Sequence, residues 1–319
     1  MRRVLTPPRR QRGAALLVAL IIVTLVVTLA ASMVWQQWRA VQVEAAERAR
    51  MQSAWILQGA LDWARLILRE DARSGRPTAL TEPWATPLAE ARLSTFLAAD
   101  KDNNADEGPE AFLSGAISDA QSRYNLASLL DASGKVVQAE VDALERLCQT
   151  VGVSSDVAAR IAAGLRDAQA VGAQGSGTAP LRPRSVAQLT WLGVDAATIA
   201  SLEPYVTLLP VRTPVNANTA SREVLAAAIK GLDLATAERL VQLRQRDPFK
   251  TLGAVEAQIP GLGPLNSQQV SVVSSFFEVR GRLRLDDRVL EQRSLVERRG
   301  LDMIVLQREQ ISTVEALRS

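Results

Sequence analysis

The chain has 319 residues with 37 Lys and Arg against 34 Asp and Glu, no histidine and one cysteine, Cys148. Without histidine there can be no Ser/His/Asp triad, Cys/His dyad or His-ligated zinc, and a lone cysteine excludes an intramolecular disulfide. The formal charge of +3 comes from five arginines before Gly13 (Arg2, Arg3, Arg9, Arg10, Arg12), because residues 14–319 hold 32 basic against 34 acidic residues, a balance with no bulk attraction for nucleic acid.

Residues 14–34 read AALLVALIIVTLVVTLAASMV, 21 residues without a charge. A run of about 20 apolar residues matches the hydrocarbon core of a bilayer, whereas the apolar part of a secretory signal is only about 7–15 residues long. Clustered arginine stays on the cytoplasmic side, which predicts a single-pass inner-membrane anchor with its N-terminus inside and residues 35–319 in the periplasm. The alternatives are an uncleaved signal anchor and release by signal peptidase at Ala30-Ala31-Ser32.

Beyond the span, Trp35, Trp38, Val41, Ala45, Trp55, Leu61, Ala64 and Leu68 recur near three- and four-residue spacing, which predicts one long helix over 14–72 with an amphipathic outer half. Trp35 and Trp38 suit the membrane interface. Small residues such as Ala14 and Ala15 permit close packing of parallel helices. Ala14, Ala15, Leu16, Leu17, Val18, Trp35 and Trp38 are the candidate partner-binding residues.

Residues 73–124 read as a Pro-punctuated connector with a short helix near 88–98 and a first strand near 115–124. Within it, Asp100, Asp102, Asn104, Asp106 and Glu107 offer the dense oxygen donors that calcium prefers. The EF-hand pattern fails, since Ala105 replaces the sixth-position Gly and Ala111 the twelfth-position Glu. Calcium binding and a solvated acidic turn both stand as readings of this segment.

Residues 116–130 predict a strand that turns into a helix start at Asn125, and residues 125–267 read as a helical domain with a degenerate repeat. In the clearer copy, Asn216-Ala-Asn-Thr-Ala220, Gly231, residues 235–244 and Ile259-Pro-Gly-Leu-Gly263 follow the order of a helix-hairpin-helix module. The first copy runs through Asn125, Leu144, Leu147, Gly152-Val153, residues 158–166 and Leu192-Gly193. This likeness raises a rival function, a membrane-anchored DNA receptor whose hairpin amides hold phosphate. Phosphate binding wants several cations, however, and Lys230 beside Asp233 is thin support, so a structural or protein-binding role is expected. Residues 268–319 alternate as a three-strand antiparallel meander, with strands over 272–285, 288–296 and 301–307 and turns at Asp286-Asp287 and Arg299-Gly300. The predicted class is α+β: a long N-terminal helix packed on a small antiparallel sheet, with an inserted all-α domain of helix-hairpin-helix-like repeats. There is no GxSxG and no P-loop, and no carboxylates are spaced as an acid/base pair, so no enzyme is expected.

The junction of the basic leader 1–13 with the apolar run, Gln11-Arg12-Gly13 meeting Ala14-Ala15-Leu16-Leu17, resembles a type IV prepilin processing site. That resemblance implies cleavage between Gly13 and Ala14 by a prepilin peptidase, with the apolar helix retained. Mature pilins usually carry Glu as their fifth residue, where this chain has Val18; a subunit without that carboxylate suits the end of a fibre. Together with the Asp119, Arg123, Tyr124, Asn125, Leu126 run and the Asn216 to Ala220 run, this resembles the type II secretion minor pseudopilin K family. The resemblance implies a non-enzymatic pseudopilus tip subunit whose helical insert caps the fibre. Implied partners are minor pseudopilins I, J and H, the prepilin peptidase, the inner membrane, and a secreted substrate or the outer-membrane secretin. No nucleic-acid partner is implied, and calcium is the one implied cofactor. A generic periplasmic adaptor remains a further alternative.

Overall fold

The computed structural model describes residues 12–93, 111–174, 180–285 and 288–314, in two units, Met1–Ile56 and Leu57–Ser319. Helix α1, Arg12–Arg73, follows from a sequence with no proline and only two glycines, Gly13 and Gly59. In the first unit it is uncharged from Ala15 to Val34 and exposed throughout. Its few hydroxyls are tied back to the helix: Thr24, Thr28 and Ser32 donate to the carbonyls of Ile21, Leu25 and Leu29 at 2.8–2.9 Å. Such back-bonding removes polar groups that hydrocarbon would not solvate.

In the second unit, α1 lays Leu61, Ala64 and Leu68 onto an antiparallel sheet of five strands in the order β1-β2-β7-β8-β9. These are β1 Leu88–Arg92, β2 Ala111–Asp119, β7 Phe276–Leu285, β8 Arg288–Arg299 and β9 Asp302–Val314. Phe277, Val279, Val296 and Met303 face the helix, and Trp84 meets Phe277 edge to face at 5.4 Å and 73°. Arg65 and Arg69 of α1 donate to the carbonyls of Met303 and Leu301, which pins the β8–β9 turn to the helix.

The C-terminal meander is present with the expected turn at Arg299-Gly300, while the Asp286-Asp287 turn lies outside the described residues. Three local expectations are corrected. The 88–98 region begins as strand β1, not helix, because its backbone finds a ladder partner in β2 that outweighs the helical preference of Leu, Ala and Glu. The first strand ends at Asp119 rather than Tyr124. The strand expected from Val272 starts at Phe276, since residues 272–275 spend their backbone bonds on the loop at Thr78 and on Gln121.

Between β2 and β7 lies the insert, whose large core, among the described residues, draws only on residues from Tyr124 to Val272. Its two copies share one plan. The first runs β3 Tyr124–Asn125, α2 Gln138–Thr150, α3 Asp156–Gln174, α4 Ala196–Leu202 and β4 Val206–Thr207. The second runs β5 Val215–Asn216, α5 Arg222–Ala228, α6 Leu234–Arg246, α7 Leu252–Glu256 and β6 Val270–Ser271. Each copy closes on itself by pairing its first and last strands in parallel, β3 with β4 and β5 with β6, so the insert is helical with two short strand pairs. Asn125 caps only a 3-10 turn at 126–129, and the first α-helix of the insert waits until Gln138. The equivalent helices α2 and α5 pack on each other, and Arg146 of α2 donates twice to the Ala227 carbonyl at the C-terminal end of α5. A cation there also satisfies the helix dipole.

Candidate functional site

Three places carry the functional expectations. The first is the N-terminal face. The backbone is already helical at Gly13 and Ala14. Ala15, Leu16, Leu17 and Val18 are exposed on that helix, Leu16 at 68%, with Trp35 and Trp38 further along. The Arg39 guanidinium sits 4.7 Å from the Trp35 ring centroid, a pairing suited to an interface where one end is apolar and the other wet.

The second place is the set of hairpins in the insert. Gly152, Gly193 and Gly231 all take the left-handed conformation, with φ of 77°, 76° and 84°, and each is followed by a packed Val or Leu. In the first copy the hairpin amides are already used within the turn, Gly152 to Gln149, Val153 to Cys148, Gly193 to Thr190 and Val194 to Leu189, and in the second Leu232 donates to Ile229. The helices after them begin with acids. Asp195 and Asp233 cap α4 and α6 by accepting from the Thr198 and Thr236 amides at 2.9 and 2.8 Å, and Asp156 opens α3. The Thr198 hydroxyl and amide hold the Asp195 carboxyl below the usual range, and the Thr236 amide and hydroxyl do the same for Asp233. A carboxylate therefore occupies each helix end where a phosphate would need to sit, and residues 124–271 contain 13 basic and 13 acidic residues. The geometry opposes the DNA-receptor reading.

The third place was only partly legible beforehand. Asp119, 2% exposed, ends β2 and accepts four hydrogen bonds: from the Gln121 amide at 2.8 Å, Asn216 Nδ2 at 2.9 Å, Thr219 Oγ1 at 2.6 Å and Ser274 Oγ at 2.6 Å. Burial pushes its carboxyl up, and the hydroxyl, amide and backbone donors act against that. The network continues outward. Asn216 also donates to the Thr78 carbonyl, and Thr78 Oγ1 accepts from the Ser274 amide and from Arg298, which reaches the Ser274 carbonyl and Asp71 at the end of α1. Asp119 and the Asn216 to Ala220 run stood out in the sequence. Thr78, Ser274, Arg298 and Asp71 did not, because no local pattern marks partners up to 227 residues apart.

The acidic segment with Asp100, Asp102, Asn104, Asp106 and Glu107 lies outside the described residues, and among the described residues no group of three or more Asp, Glu or Cys is placed to hold a metal. An apolar groove of about 360 Å³ runs beside α1, lined by Trp63, Trp84, Pro87, Leu88 and Ile117 among others.

Two family models, both described as type II secretion system (T2SS) protein K, match residues 122–211 and 215–273, one on each copy of the repeat. The type II secretion system protein K of Pectobacterium carotovorum is 30% identical over 94% of this chain and 96% of its own length. That of Pseudomonas aeruginosa is 28% identical over 88% and 86%, and that of Klebsiella pneumoniae 29% over 94% and 96%. Among solved structures, the GspK-GspI-GspJ complex of the enterotoxigenic Escherichia coli type 2 secretion system contains a chain that matches with a TM-score of 0.63 at 20% identity. The match covers 84% of this chain and 99% of that one.

Proposed function

This chain belongs to the type II secretion system protein K family, and from that premise we propose that it is a non-enzymatic minor pseudopilin that initiates or caps the pseudopilus tip during export of folded proteins. The observation that carries the reading is the uncharged helical stretch that begins directly at the Gly13–Ala14 junction and ends before Trp35. In this reading the prepilin peptidase cuts after Gly13, the helix stays in the inner membrane, and the second unit works in the periplasm. Ala14 to Val18 pack against the parallel helices of neighbouring subunits, and Val18 in place of a carboxylate suits a subunit with no neighbour above. The partners are minor pseudopilins I and J, which the homologous complex contains, with H as a further one.

The deciding experiment is the N-terminal mass of membrane-extracted protein made with and without the prepilin peptidase. A chain starting at Ala14 only when the peptidase is present supports the proposal, and one that keeps Arg2 to Arg12 overturns it. Calcium belongs to the same proposal through the oxygen donors of Asp100, Asp102, Asn104, Asp106 and Glu107. Calcium should raise the unfolding midpoint of the wild type but not that of the double variant Asp100→Asn, Asp102→Asn. Equal midpoints with calcium and with chelator would leave a solvated acidic turn.

A further inference from the structure

We propose that Asp119 is the latch that locks the insert onto the sheet and joins it mechanically to the C-terminal end of α1. The insert is tied to the sheet by two chain crossings. The outgoing one starts at Asp119 and the returning one ends at Phe276, while Asp119 itself pairs with Phe277 across the ladder. Two crossings at one point of a ladder form a natural hinge, and the apolar contact beside them is small: Ala120, Leu209 and Phe276, with Leu295 against them.

The carboxylate of Asp119 gathers donors from every part that meets at this hinge. Gln121 belongs to the outgoing crossing, Ser274 to the returning crossing, and Asn216 and Thr219 to the second copy of the repeat. Gln121 closes the same joint from the other side. Its Oε1 accepts from the Ser275 amide at 2.6 Å, and its Nε2 donates to the Pro214 carbonyl, between the two copies. Through Ser274 and Thr78 the same network reaches Arg298 of β8, whose guanidinium lies 4.9 Å from the Phe277 ring centroid and pairs with Asp71 of α1 at 2.8 Å. Arg298 and Asp71 are themselves little exposed, at 12% and 6% for their side chains, so this link is not a solvated surface pair.

A buried carboxylate that accepts from four directed donors, three of them converging on one oxygen, favours a single arrangement of those donors. Tilting the insert would break several of these buried hydrogen bonds together. Motion of the insert is therefore passed to the end of α1 rather than absorbed at the crossings.

The test is carried out on the full chain in detergent, with spin labels at Lys250→Cys on the insert and Gln310→Cys on the sheet; native Cys148 is buried and stays unlabelled. In the otherwise unchanged chain the label-to-label distance distribution should be narrow and calorimetry should give one transition for insert and sheet together. In Asp119→Ala the distribution should broaden about twofold and the transition should split in two, as expected when a cooperative unit divides. If Asp119→Ala does not fold, the double variant Thr219→Val, Ser274→Ala removes two of the four donors and should broaden the distribution in the same direction. A folded variant of either kind that melts earlier but keeps a narrow distribution and a single transition would overturn the proposal, leaving Asp119 as a stabilising residue only.

Discussion

Three aspartates show how one residue type takes opposite electrostatic roles. Burial raises Asp119, so the folded chain holds that proton more tightly than the unfolded chain does. Its contribution to stability is fully present below the ordinary value of 3.8 and is lost as pH rises through the raised folded value. Asp195 and Asp233, exposed and lowered by the threonines they cap, act the other way: their contribution is present above 3.8 and is lost as pH falls through the lowered values. Urea titrations from pH 3 to 7 should therefore show the decline above 3.8 flattened in Asp119→Ala, and the acid-side loss reduced in Asp195→Ala, Asp233→Ala. Cys148 is simpler. Burial pushes its thiol up to about 11, so a thiol reagent at pH 8 should modify it only in denaturant. In the sheet core, Phe277→Ala removes a ring in contact with Trp84 and should cost about 3–5 kcal/mol, read from denaturant midpoints.

At the scale of elements, the hairpin glycines are demanded by the backbone. Gly231 has φ +84°, and a Cβ there would sit 3.1 Å from Leu262 Cδ2, so Gly231→Ala should lose about 1–2 kcal/mol of insert stability. Calorimetry of the variant would check this, and an unchanged midpoint would show that the turn relaxes. Periodicity made α1, the meander and the hairpin order legible, since each has a period or turn residue of its own. The 88–98 region misled because an Ala- and Glu-containing segment favours helix locally, whereas β1 exists only through a partner more than twenty residues on, Gly115 for Leu88. The pairs β3 with β4 and β5 with β6 could not be read either: two residues carry no period, and each pair joins positions over 50 residues apart.

For the whole molecule, Asp119 opposite Phe277 makes the insert a very long hairpin loop, entered and left at adjacent ladder positions. Loop-closure entropy grows only slowly with loop length, so a domain of this size is tolerated there. Replacing residues 121–275 by a four-residue turn should leave a chain that retains the strand signature of the sheet in circular dichroism. Residues 122–273 alone should give a cooperative helical unfolding transition, because the core of the insert draws on no residue outside it. A shortened chain without strand signal would mean that the sheet needs the insert to form.

The amino-acid sequence by itself determined the long apolar N-terminal helix, the α+β class, the two-copy order of the insert and the family resemblance, because charge, hydropathy and turn residues act over short separations. Only the tertiary structure decided that the repeats close by parallel pairs, that β1 extends the sheet, and that Asp119 collects donors from segments up to 155 residues apart. A buried hydrogen bond depends on where distant donors arrive after folding, and local sequence carries no record of that meeting.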